Sequence, residues 1–179
     1  MGIRSQLPDG REPLFLMDGT AFLYRCFYAN PGMKRADGFP TGAIFALGRI
    51  LLRILKQERP QSLVFALDGK GPTFRHEMYA PYKAQRTATP EPLIQQIAPV
   101  TELVRALVFP LVVSDGCAAA DCIAGLAYRF KDSRPVVIIG SDKDFKQCLA
   151  PGVILWDPAG KAEEVTTLEC FPAGAGVAD

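Results

Sequence analysis

Along the chain, apolar residues gather into short unbroken runs separated by stretches with helical spacing. The runs LFLM at 14–17, LVFAL at 63–67, LVV at 111–113, VVII at 136–139 and VILW at 153–156 are three to five residues long. Runs of that length without alternation predict strands buried on both faces. Between them, TGAIFALGRILLRILKQ places Ile44, Leu47, Leu51 and Leu55 on one stripe, with Thr41 as the N-cap. TPEPLIQQIAPVTELVRALV predicts a helix entered through prolines and kinked or divided at Pro99. ADCIAGLAYRF and DKDFKQCL predict two shorter helices. Strands alternating with helices predict an α/β fold, a mostly parallel central sheet flanked by helices on both faces.

Two regions break that rhythm. Residues 69–90, GKGPTFRHEMYAPYKAQRTATP, are polar, basic and aromatic, and too long for an ordinary connection. The end, FPAGAGVAD, is small and Gly-rich with nothing to bury, and reads as a frayed tail. The expected organisation is an N-terminal extension at 1–12, one core at 13–170 and a tail at 171–179.

Composition narrows the class without naming it. A chain of 179 residues, 49% hydrophobic and 22% charged, is long enough for a real core. The net charge of +1 does not announce a nucleic-acid binder, so any such surface must come from local clustering. No apolar run reaches the roughly 18 residues of a membrane span, and a cytoplasmic protein is the expectation. Cys26, Cys117, Cys122, Cys148 and Cys170 are an odd number and fit free thiols in a reducing compartment. Cys117 and Cys122 lack the CxxC spacing of a zinc site, and His76 is the single histidine.

The sharpest feature is where the aspartates fall. LFLMD ends at Asp18, LVFALD at Asp68 and VVIIGSD at Asp142, with Asp144 two residues later. Ligands of open parallel sheets gather outside the carboxyl ends of strands, so these acids are expected to converge in one pocket. Carboxylates so close repel one another unless a cation compensates. Hard oxygen donors favour Mg²⁺ or Mn²⁺. Directly after Asp68 comes a segment holding Lys70, Arg75, Lys83 and Arg86 against one acid, Glu77, with Phe74, Tyr79 and Tyr82 interleaved. Cations suit phosphates and aromatic rings suit unpaired bases, so the combination points to phosphate ester chemistry on nucleic acid.

LFLMDGTAFLYRCFYA, PTGAIFALGRIL, VFALDGKGPTFRHEMYAPYKAQR and IIGSDKDFKQCL closely resemble the 5′→3′ exonuclease domain of bacterial DNA polymerase I, of the flap-endonuclease group with a PIN-like fold. The resemblance runs from about residue 13 to about residue 170. It implies a structure-specific, two-metal nuclease that trims 5′ ends and flaps of DNA, and RNA primers in RNA–DNA hybrids. Asp18, Asp68, Asp121, Asp142 and Asp144 fall on the family's metal-binding acids, and Arg25, Tyr82, Lys83 and Arg86 on its basic and aromatic site residues. Residues 70–90 fall on the helical gateway that the free 5′ strand threads. The resemblance also allows that the chain is part of a longer polymerase I-type protein.

Two departures qualify what the resemblance implies. The family's Gly-x-Glu-Ala-Asp-Asp motif reads GCAAAD here, so Ala118 and Ala120 stand where two metal-holding acids belong. The expectation is a weakened metal site and little or no cleavage, because a misplacement of about 1 Å can cost about a hundredfold in rate. The sequence also stops at Asp179, where the family's helix–hairpin–helix region would start, and a weaker, more salt-sensitive grip on duplex is expected. The same fold could bind 5′ ends or flaps without cutting them. A small-phosphoester enzyme with an acidic pocket is a further alternative, but it leaves the basic aromatic segment unexplained.

Overall fold

The computed structural model describes residues 3–7, 10–69, 71–74, 78, 88–159 and 164–170. Among them six strands form one sheet: β1 Leu14–Asp18, β2 Leu63–Asp68, β3 Leu111–Ser114, β4 Val136–Ile139, β5 Val153–Asp157 and β6 Glu164–Thr166. Their order is β3-β2-β1-β4-β5-β6; the first five run parallel and β6 pairs antiparallel with β5. All five apolar runs are therefore strands. The added β6 is a three-residue edge that apolar patterning does not announce.

Among the described residues, four α-helices pack on this sheet: α1 Gly19–Ala29, α2 Gly42–Glu58, α3 Glu91–Ala106 and α4 Ala119–Phe130. Alternate residues of each strand face opposite sides. Phe15, Met17, Phe65, Leu67, Val137, Ile139 and Trp156 form one core with α1, α2 and α3. Leu14, Leu16, Ala66, Val136, Ile138 and Leu155 form the other with α4 and Phe145. The sheet is thus covered on both faces, as the unbroken apolar runs require.

Local chemistry refines four expectations. Thr41 is the N-cap position of α2, but its side chain makes no capping bond. The buried Gln96 of α3 does that work: its Oε1 accepts from Ala43 N–H at 2.8 Å and Ile44 N–H at 3.2 Å. The buried stripe of α2 runs Ala43, Leu47, Leu51, Ile54 and Glu58, not through Leu55. Pro99 lies inside α3 without dividing it. The segment DKDFKQCL forms a 3₁₀ helix, Lys143–Cys148, rather than an α-helix.

Helix α1, which periodicity did not reveal, starts on Gly19 for a steric reason. A Cβ there would meet the Phe65 ring at 2.2 Å and the Ala66 carbonyl at 2.7 Å. Most of the expected helical gateway at 70–90 lies outside the described residues, and so does the tail at 171–179.

Candidate active site

The strand order reverses between β1 and β4, since β2 and β3 extend to one side of β1 while β4 and β5 extend to the other. A crevice opens at such a point outside the carboxyl ends of parallel strands. Asp18 ends β1 there, and Gly140 follows β4; a Cβ on Gly140 would lie 3.7 Å from Asp18 Cβ. The expected acids therefore do share one edge of the sheet.

Four of the five acids accept a backbone hydrogen bond at that edge. Asp18 is buried, 6% exposed, and caps α1 by accepting from Ala21 N–H at 3.0 Å. Asp68 has its backbone N–H donating to Thr20 Oγ1 at 2.8 Å, while its carboxylate Oδ1 accepts from Ala119 N–H at 2.7 Å. The latter bond crosses from β2 to the first turn of α4. It supplies what Ala118, the N-cap of α4, has no side chain to supply. Asp121 Oδ2 accepts from Ala118 N–H at 3.1 Å, the returning half of a capping box. Asp142 caps the 3₁₀ helix by accepting from Asp144 N–H at 3.0 Å.

Asp121, Asp142 and Asp144 line one groove of about 710 Å³ together with Ala118, Ala120, Tyr128 and Lys131. Asp18 and Asp68 are not in its lining. Among the described residues, no three His, Cys, Asp or Glu side chains come together as a group that could hold a metal ion. The expected convergence is thus partial: the acids share an edge, three share a groove, and they do not assemble a complete ion cage. Mg²⁺ keeps several waters and is held by protein through one or two carboxylates. Asp121, Asp142 and Asp144 are donors of that kind at this groove, and Ala118 and Ala120 beside them add none.

The cysteines of GCAAADC also have a place. Cys117 and Cys122 occupy the N′ and N4 positions of α4, where a hydrophobic pair commonly staples the helix entry. Burial, followed by the nearby Cys117, Asp121 and Asp68, pushes the Cys122 thiol above its ordinary pKa. A thiol held protonated in this way serves packing better than metal ligation. All five cysteines are free.

Of the basic and aromatic candidates, Arg25 is described and engaged. Its guanidinium forks onto Asp157, with both nitrogens within 3.0–3.1 Å of both carboxylate oxygens, and it lies 5.4 Å from the Phe22 ring centroid. Asp157 was missed by the sequence reading, although VILWD repeats the pattern of a strand ending in aspartate. Phe74 is 41% exposed, and its N–H donates to Gly116 O at 2.9 Å, tying the start of the basic segment to the turn before α4. Lys70, Arg75, Tyr79, Tyr82, Lys83 and Arg86 lie outside the described residues.

A sequence model of the family described as "5'-3' exonuclease, N-terminal resolvase-like domain" matches residues 13–172. A 5'-3' exonuclease of Aquifex aeolicus is 39% identical over 159 residues, covering 88% of this chain and 54% of that protein. DNA polymerase I of Pseudomonas aeruginosa is 43% identical over 138 residues, covering 76% of this chain and 15% of that protein. The chain therefore spans about half or less of these relatives. Among solved structures, the T5 5'-exonuclease with zinc bound superposes with a TM-score of 0.66 at 20% identity, covering 85% of this chain and 57% of that one. A T5 flap endonuclease in complex with DNA and metal ions superposes at 0.61 with 19% identity, covering 84% of this chain and 57% of that one. At that identity the likeness is one of fold.

Proposed function

Because the chain belongs to the 5'-3' exonuclease family, through its N-terminal resolvase-like domain, we propose that it is a 5′-nuclease core whose cleavage is impaired. In this reading it engages DNA with 5′ ends or flaps, or RNA primers paired with DNA. The alanines at 118 and 120 keep its groove from holding the divalent ions, Mg²⁺ or Mn²⁺, that hydrolysis of a phosphodiester would use. The observation that carries the reading is the groove itself. It is lined by Asp121, Asp142 and Asp144 with Ala118 and Ala120 beside them, and no three acids among the described residues form an ion-holding group. Fewer carboxylates also make the groove less repulsive to a phosphate backbone.

A second reading, a non-cleaving binding module of the same fold, is favoured by one bond. Asp68 is committed to the Ala119 N–H, so the acid at the end of β2 supports α4. The two readings separate on a 5′-labelled flap substrate with Mg²⁺ or Mn²⁺, the chain run beside Ala118→Glu/Ala120→Asp. An impaired nuclease gives product only, or far faster, with the altered protein. Equal cleavage by both sinks the assigned role of the alanines, and binding without product from either supports the module.

A further inference from the structure

A second groove, of about 600 Å³, runs along the outer face of α2 and is lined by Phe45, Arg49, Leu52, Arg53 and Lys56, with Ala159 on its far wall. Of the four charged residues in α2, Arg49, Arg53 and Lys56 are exposed on this face and the one acid, Glu58, is buried. Exposed charge on the helix is therefore wholly positive in a chain whose net charge is only +1. Among the described residues, no carboxylate lines the groove. Phe45 is 50% and Leu52 59% exposed, and Arg49 lies 5.6 Å from the Phe45 ring centroid. Arg53 donates to the Pro158 carbonyl, which ties the groove to the segment directly after Asp157 at the carboxyl edge of the sheet.

We propose that this groove binds the phosphate backbone of the duplex next to the 5′ end or flap. The proposal rests on the function proposed above, and the argument is charge complementarity. A row of cations at helical spacing, with no exposed acid on the same helix, suits phosphates repeating along a strand, and such contacts position a duplex without reading its sequence. The connection through Pro158 places that duplex against the edge where Asp18, Asp68 and Asp157 lie.

The test is binding of a fluorescein-labelled 5′-flap duplex, and of a single strand of equal length, by anisotropy in EDTA at several salt concentrations. Arg49→Glu/Lys56→Glu is expected to weaken duplex binding about tenfold and to lower the salt slope by about one per cation removed. The single strand should lose less. Unchanged duplex affinity and slope would overturn the proposal. So would a change confined to self-association in sedimentation, which would make the face a contact between copies. If the charge reversal lowers the melting temperature, Arg49→Gln/Lys56→Gln serves instead, with a weaker but still duplex-selective loss expected. Absence of any flap binding by the unaltered chain would sink the proposed function and the groove with it, whereas binding that ignores these cations sinks the groove alone.

Discussion

The two sides of the sheet are built differently. On one, α1, α2 and α3 bury Phe15, Phe22, Phe65 and Trp156, and the Phe15 and Trp156 rings meet edge-on at 6.5 Å. On the other, α4 presents Ala119, Ile123 and Ala127, and among the described residues Phe145 is the one aromatic side chain buried in that core. Other small residues of this helix and its N-cap, Ala118, Ala120 and Ala124, line the groove beside it. Aromatic mass is concentrated on the three-helix side, while on the other the start of α4 donates its backbone N–H groups to Asp68 and Asp121.

Core truncation should expose that contrast most strongly. Trp156→Ala is expected to cost about 3–5 kcal/mol in chemical denaturation, while Ile123→Val on the α4 side should cost about 0.5–1.5 kcal/mol. A Trp156→Ala loss no larger than that of Ile123→Val would mean that the indole does not anchor the three-helix side.

A pH effect belongs to the three-helix side. Burial pushes the Cys26 thiol up from 9.0 to about 11. The folded state holds this proton more tightly than the unfolded state, so the contribution is complete below pH 9 and disappears as pH rises to about 11. About 2–3 kcal/mol should be lost across that window. Stability curves for Cys26→Ala that fall as steeply would assign the loss to another group.

Gln96→Ala should cost about 1–3 kcal/mol, because it leaves the Ala43 and Ile44 N–H groups without their acceptor. Asp68→Ala should cost about 1 kcal/mol through the start of α4, and Asp68→Asn less, since its amide oxygen can still accept. Thermal melts of the pair check this. An unchanged Asp68→Ala melt would mean that α4 does not depend on the bond from β2.

Fold and site were legible to different depths. All five runs are strands of the sheet, but the burial on both faces that unbroken runs predict fails for β3, an edge strand whose Leu111 and Val112 are half-buried and whose Val113 is 49% exposed. Helix α1 was hidden although its cap, Asp18, is local; the need for glycine at 19 comes from the Phe65 ring on another strand, which no local pattern records. Thr41 suggested a cap on residue type, but Gln96, more than fifty residues away, supplies the acceptor. The aspartates were legible as strand ends. Their commitment to backbone N–H groups was not, because it depends on which helix starts beside which strand. Asp157 escaped because the run VILW was closed at Trp156, and its pairing with Arg25 spans 132 residues.

The central claim is that Ala118 and Ala120 keep the acids at this edge from acting as one metal site. Titrating Mn²⁺ while following the electron paramagnetic resonance signal of the free hexaaquo ion tests it without requiring any cleavage. The chain as it stands is predicted to leave the free-ion signal almost undiminished at sub-millimolar Mn²⁺, and Ala118→Glu/Ala120→Asp is predicted to remove it in a saturable way. Equal, saturable uptake by both proteins would contradict the account.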